Sequence, residues 1–342
     1  MTQIDTIQRQ LVDQLGDIRS QTLNLSEYYC KSLNRTLDAA EYYLEIYRNC
    51  FERLLELCGK SPDEMVLVDY GGGHGILSVF AKRIGFGKVI YVDNVADTVD
   101  FCKLVSGQLS TAPDVLLCGD ASTLKKWCEA NNVVPDALVG IDVIEHVYVL
   151  DDFFSSLFAL SPRMKMVLTT ASNPENKRSV SRLHKVMVRD EHGSLIHNGF
   201  RQQRREYIHK LHPDMSESLL DYWADNTRGL IYDDVAHAID SQTPNLLLDK
   251  YNTCDPSTGS WTERIIPFDD YRQLLLPYGC TLEVMPGFYN VHRHGIKAWI
   301  GHRRNRRIVR VVSPTPKGFR QRRRYRKALQ IAPFVYLVAI PQ

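Results

Sequence analysis

No aspartate or glutamate occurs from residue 301 to residue 342, a stretch that holds Arg303, Arg304, Arg306, Arg307, Arg310, Lys317, Arg320, Arg322, Arg323, Arg324, Arg326 and Lys327. The formal net charge of +2 on 342 residues therefore hides an end carrying +12 and a remainder carrying −10. The eight cysteines form no C-x-x-C pair, which leaves reduced thiols in apolar surroundings as the expectation and a cytoplasmic protein as the setting. No apolar run approaches the ~20 residues of a membrane-spanning helix; the longest lies at 333–340. The opening MTQIDTIQRQLVDQ carries acids and no apolar stretch, so it does not read as a secretory signal. With 44% hydrophobic and 24% charged residues, global disorder, collagen-like repeats and coiled coils are excluded.

Residues 1–24 are polar and read as frayed or loosely helical, and Leu25 to Cys58 repeats apolar residues at helical spacing before Gly59 and Pro62 stop it. Residues 1–60 thus form an N-terminal helical extension. From residue 61 to 171 compact apolar strands alternate with helical stretches: strands at 65–69, 88–93, 114–118, 136–142 and 165–169, helices at 76–84, 95–106, 122–131 and 149–160. Five such strands imply right-handed crossovers and a parallel, doubly wound α/β sheet. The alternation then stops. Residues 172–265 form a long insertion, too long for a simple loop, before a helix at 268–276 and a strand at 281–288 in a last unit, 266–342. Within the insertion, Lys177 to Lys210 holds nine basic and three acidic residues, and Leu211 to Ile265 three basic and ten acidic. Two solvated faces of opposite sign, or a cap whose basic half meets an anionic ligand, both fit that segregation.

The most specific feature is the run from Val66 to Gly75, VLVDYGGGHG, with Asp69, Gly71, Gly73 and Gly75 at alternate positions where the first strand ends and a helix begins. Glycines there permit a tight turn and close approach of a ligand to the backbone. No register gives the G-x-G-x-x-G of a dinucleotide site, and no Gly-Lys-Ser/Thr follows as in a phosphate-binding P-loop. D-x-G-x-G-x-G resembles the loop of the class I S-adenosylmethionine-dependent methyltransferases. The resemblance continues at Asp93, which closes the second strand, at Gly119-Asp120 after the third, and at DALVGIDVIEHV, residues 136–147, which is similar to the fourth-strand motif of the ubiquinone-biosynthesis O-methyltransferases. It implies a Rossmann-like seven-stranded methyltransferase sheet with a helical cap after strand 5. S-adenosylmethionine is the implied cofactor, with Asp69, Gly71, Gly73 and Gly75 as its loop, Asp93 on the ribose hydroxyls and Asp120 by the adenine amine. Tyr70 and Gly72 replace the family's usual small residues, and His74, read as a solvent-side loop residue, stands where a threonine is common.

Asp142, Glu145 and His146 stand at the carboxyl end of the fourth strand, the edge where open α/β sheets bind ligands. If the chain turns helical there, the i, i+3, i+4 spacing puts all three on one face. Three readings stay open: His146 as a general base steered by a carboxylate, the three as ligands of a divalent metal, or Glu145 and His146 as helix caps or pocket lining. The metal set is what the ubiquinone-type resemblance implies, although that branch has Glu where this chain has Asp142. Asn173-Pro174 is not followed by the aromatic that base-methylating enzymes need, which disfavours base flipping. The expected activity is O-methylation of a small molecule or saccharide held under the cap, with Arg178, Arg182, His184, His197 and Arg201 as candidate acceptor contacts. The alternatives are an RNA or protein methyltransferase using the basic segment, and a non-catalytic cofactor-binding subunit, the latter opposed by the intact glycines and Asp93. If the strands near 281–288 and 333–340 are the sixth and seventh of that sheet, the +12 belongs to a connection at 301–327. That connection is expected to be a basic loop that meets an anionic membrane surface at the inner face, more readily than nucleic acid.

Overall fold

The computed structural model describes residues 3–18, 23, 26–194, 198–245, 250–292, 295–309 and 318–342; His197, Arg310 and Lys317 lie outside them. Seven strands, β1 (Val66–Tyr70), β2 (Lys88–Asp93), β3 (Val115–Cys118), β4 (Ala137–Ile141), β5 (Lys165–Thr170), β6 (Cys280–Pro286) and β7 (Val335–Pro341), make one sheet in the order β3-β2-β1-β4-β5-β7-β6. The first five are parallel, and β7 runs antiparallel between β5 and β6. Alternate residues feed two cores, as period-two strands covered on both faces must. Leu67, Val89, Val139, Val167 and Val338 face one side, and Val68, Ile90, Leu138, Leu168 and Leu337 the other.

The first face is covered by α1 (Gln3–Asp17), α2 (Glu27–Leu37), α3 (Ala40–Cys58), α4 (Ile76–Ile84) and α5 (Ala96–Gln108), the second mainly by α6 (Ala121–Asn131), α7 (Leu150–Leu160) and α12 (Phe268–Leu275). Of the two expectations for residues 1–24, frayed or loosely helical, the described part is helical and, in α1, packed. Ile4, Ile7, Leu11 and Leu15 recur at helical spacing, and Leu11 and Leu15 are buried in the same core as α3. Beyond β5 come α8 (Lys177–His192), α9 (Phe200–Leu211), α10 (Glu217–Asn226) and α11 (Tyr232–Asp240). Of these, α9, α10 and α11 have a core of their own, Ile208, Leu220, Trp223, Val235 and Ile239.

Beside that core the guanidinium of Arg204, fully buried, donates to Glu191 Oε1 at 2.6 Å and to the Ala224 carbonyl, while Thr253 Oγ1 donates to Glu191 Oε2 at 2.7 Å. Burial alone would raise the Glu191 carboxyl, but Arg204 outweighs it and holds the carboxyl below its ordinary range. The segregated charges of the insertion meet each other across α9 and α10. Arg201 donates to Asp225 at 2.6 Å and to Asp221 at 3.1 Å, and Arg205 pairs with Asp221 and Glu217.

Among the described residues the basic connection is largely helical, contrary to the expected loop. It forms α13 (Ile296–Ile308) and α14 (Phe319–Ile331), which pack together through Ile308, Ala328 and Ala332. Buried Asn173 ties this hairpin to the loop after β5 by donating to the carbonyls of Leu329 at 2.9 Å and Ala332 at 3.1 Å. Among the described residues no helix is long and apolar enough to cross a membrane.

Candidate active site

β1 delivers the chain to a turn in which Gly71, Gly73 and Gly75 all have positive φ, +66°, +54° and +76°. Their surroundings differ. A Cβ on Gly71 would meet Val143 Cγ2 at 2.5 Å, and one on Gly75 would collide with Cys102 Sγ, whereas one on Gly73 would meet nothing within 4 Å. Gly71 and Gly75 let the loop pack; Gly73 faces open space. Asp69 is buried, accepts from Ser78 Oγ at 2.6 Å, and is pushed up to about 7 by burial. Asp93 accepts from the Gly73 amide through Oδ2 at 3.2 Å and from the Val95 amide through Oδ1 at 3.1 Å, and burial raises its carboxyl. One strand end thereby fixes the loop of the next.

The space over Gly73 is a cavity of about 260 Å³ whose floor includes Asp69, Gly71, Gly72 and Asp142. Its roof is supplied by the N-terminal helices, Tyr28, Tyr29 and Ser32 from α2 and Tyr43 and Tyr47 from α3, with Phe101 of α5 at the side. These roof residues were missed from the sequence, where the paired tyrosines of EYYC and EYYLEIY read only as helical apolar positions. The reading of His74 as a solvent-side residue is corrected. Its Nδ1 accepts from the Ile76 amide at 3.3 Å, so Nε2 carries the hydrogen and meets Thr36 Oγ1 of α2 at 3.1 Å. Burial lowers this imidazole to about 4, so it is neutral and pins the roof to the loop. Asp120 caps α6, accepting from the Thr123 amide at 2.9 Å, and is exposed; it is not among the residues that line the cavity.

At the end of β4 the chain does not continue as a helical face, contrary to the i, i+3, i+4 expectation. Asp142 takes φ +50° and a single 3₁₀ turn, Ile144–His146, follows. Asp142 keeps accessible surface because it borders the cavity, yet protein atoms surround it, and burial together with the neighbouring Glu263 carboxylate pushes it up to about 6. Glu145 is buried, accepts from the Ala171 amide through Oε1 at 3.3 Å and leaves Oε2 without a partner. Burial and the Asp142 charge raise it well above the carboxylate range. His146 Nδ1 lies 2.6 Å from the carbonyl oxygen of Trp261, in the strand-like return from the cap, and the Trp261 amide donates back to the His146 carbonyl at 3.2 Å. Neither Glu145 nor His146 caps α7, whose N-cap is Val149 with no side-chain bond. Among the described residues no group of three His, Cys, Asp or Glu side chains is arranged to hold a metal. The metal set Asp142, Glu145 and His146 is therefore not assembled: His146 Nδ1 faces Trp261 and Glu145 Oε1 faces Ala171.

Residues 41–206 match the family model described as a methyltransferase domain. No curated protein matches the chain. Among solved structures, an S-adenosylmethionine-dependent methyltransferase from Agrobacterium tumefaciens is 18% identical over 34% of this chain and 42% of its own, with a TM-score of 0.29. Magnesium protoporphyrin IX methyltransferase from Synechocystis PCC 6803 is 14% identical over 86% of this chain and 83% of its own, at 0.37. The chain thus spans less than half the length of the first of these.

The residues around the glycine turn fit S-adenosylmethionine, the cofactor that the sequence resemblance implies. Open space over Gly73, two amide-held carboxylate oxygens on Asp93 and an aromatic roof make a cradle that a Cβ at Gly73 would fill. The suggested acceptor contacts lie in the insertion at several places. Arg178 and Arg182 are exposed on α8, His184 stacks on Tyr251 with centroids 3.8 Å apart, and Arg201 is held by Asp221 and Asp225. The structure does not gather them at the cavity beside Asp142.

Proposed function

We propose that this protein transfers a methyl group from S-adenosylmethionine to a hydroxyl oxygen of a small molecule or saccharide, with His146 as the general base. The observation that carries this reading is the 2.6 Å contact between His146 Nδ1 and the Trp261 carbonyl. A carbonyl only accepts, so Nδ1 bears the hydrogen and Nε2 keeps a lone pair for a proton. A hydroxyl loses its proton as its oxygen gains carbon, and a base fixed in the right tautomer assists that loss.

When bound, S-adenosylmethionine supplies an electrophilic methyl group on a sulfonium sulfur. The chain does the rest. Asp93 and the Gly73 backbone hold one end of the site, the tyrosines of α2 and α3 exclude water, and the return from the cap orients His146. Glu145 is buried and raised above the ordinary carboxylate range by that burial and by the Asp142 charge, and its Oε1 is engaged by the Ala171 amide.

The test incubates fractionated extracts of the source cells with methyl-labelled S-adenosylmethionine and either the native chain or His146→Ala. Label is expected in a low-molecular-weight or glycan fraction, and the variant should be about 10²- to 10⁴-fold slower at saturating cofactor. An unchanged variant rate removes the base assignment. Label in RNA or protein removes the acceptor class.

A further inference from the structure

We infer that the α13–α14 hairpin is a docking surface for an anionic lipid bilayer. No acid follows Glu283 in the sequence, while α13 carries Lys297, Arg303, Arg304, Arg306 and Arg307 and α14 carries Arg320, Arg322, Arg323, Arg324, Arg326 and Lys327. Except for Arg304, which is half-buried over the Tyr289 ring, these side chains are exposed.

Charge alone would suit any polyanion; the apolar residues among the arginines decide between them. Ile296 is 78% exposed, Trp299 60% and Phe319 81%. At 100° per residue, Ile296, Trp299, Ile300, Arg303, Arg306 and Arg307 fall on one stripe of α13, opposite the buried Ala298, Gly301 and Ile308. On α14, Phe319, Arg323 and Arg326 share the face turned away from buried Ala328 and Leu329. A stripe with apolar side chains at one end and arginines at the other matches the boundary between acyl chains and anionic headgroups. Single-stranded nucleic acid needs aromatic platforms. Ile296 and Ile300 cannot stack on bases but can enter hydrocarbon. Trp299, with Arg303 over its ring at 5.7 Å, is the residue type that settles at such a boundary.

Asn173 and Asn176, in the loop after β5, donate to the carbonyls of Leu329 and Ala332 at the end of α14, so the hairpin is fastened to the edge of the sheet that carries the catalytic end of β4. Docking through α13 and α14 would therefore hold the enzyme in a fixed relation to the bilayer.

The experiment is co-flotation of the full chain with phosphatidylcholine vesicles, with or without phosphatidylserine. Binding is expected to be at least about tenfold stronger with phosphatidylserine and to weaken in high salt. Arg303→Glu with Arg323→Glu should weaken it by more than about tenfold. Trp299→Ala with Phe319→Ala should weaken it by about tenfold at equal charge. Calorimetry with S-adenosylmethionine checks that both double variants still bind cofactor and so are folded. Equal binding to both vesicle types, native binding by the Trp299 and Phe319 double variant, or displacement from vesicles by a polyuridine oligonucleotide overturns the inference.

Discussion

The carbonyl oxygen of Trp261 lies 2.6 Å from His146 Nδ1, two residues 115 positions apart in the chain. The cap therefore reaches the end of β4 by its backbone. The Trp261 indole is what secures that backbone: it stacks on Tyr148 with centroids 6.2 Å apart, its Nε1 donates to the Tyr148 carbonyl at 3.1 Å, and Arg264 lies over it at 4.6 Å. Trp261→Ala keeps the carbonyl but frees it to move. Single-turnover transfer should slow by about 10- to 100-fold, because a small misplacement of a base is costly. Calorimetry should find cofactor affinity almost unchanged, and a native transfer rate would dissociate Trp261 from His146.

Glu145 sets the pH dependence of stability. Its carboxyl and those of Asp142, at about 6, and Asp69, at about 7, are raised above their unfolded values. A raised carboxyl stabilises the fold fully below its unfolded pKa, and that contribution is lost as pH rises through the folded one. The cofactor-free protein should accordingly lose melting temperature from about pH 4 through pH 7. Glu145→Gln cannot ionise, so it should be more stable than the native chain at pH 8 by about 1–2 kcal/mol, a rise of about 2–4 °C. Scanning calorimetry at pH 5 and pH 8 checks both the sign and the convergence of the two proteins at the acidic end.

Gly71 and Gly73 separate packing from binding. Alanine at Gly71 combines a positive φ with a clash against Val143 and should cost about 2–3 kcal/mol. Alanine at Gly73 meets no protein atom and should cost only about 1 kcal/mol, yet its methyl projects into the cavity. Thermal unfolding should rank Gly71→Ala as the less stable variant. Calorimetry with S-adenosylmethionine should find the Gly73→Ala variant weakened by at least about tenfold.

Arg204 tests the integrity of the cap. Arg204→Ala leaves the Glu191 carboxylate buried with only Thr253 and Arg228 beside it, a loss of about 3–5 kcal/mol. Hydrogen exchange should quicken across α8 to α11, of which α9 to α11 have their own core, and stay slow in β1, β4 and β5. Arg204→Met with Glu191→Leu should recover most of the protection.

The sheet was legible because its strands are apolar along their whole length. Val-Ile-Tyr-Val at 89–92 has no other place than a sheet buried on both faces, and the glycine turn marks where it must be approached. The position of His146 just beyond β4 was legible, although it is not among the residues that line the cavity over Gly73. The roof was not, because tyrosines at 28, 29, 43 and 47 have the same spacing whether they face a core or a cavity. Trp261 was invisible for another reason: its contribution is a carbonyl, which every residue has. The helical hairpin was hidden by charge, since arginine-rich stretches read as solvated loops until Ile308, Ala328 and Leu329 are seen buried beneath them.

The place of β7 between β5 and β6 has a kinetic consequence. Closing β5 against β7 joins segments about 165 residues apart, a costly loop closure that comes late in folding. Until then the edge of β5, Met166 to Thr170, is an unpaired apolar template open to other chains. The clusters within the cap and within the α13–α14 hairpin, built from residues close in the chain, have time to form before that last pairing is made.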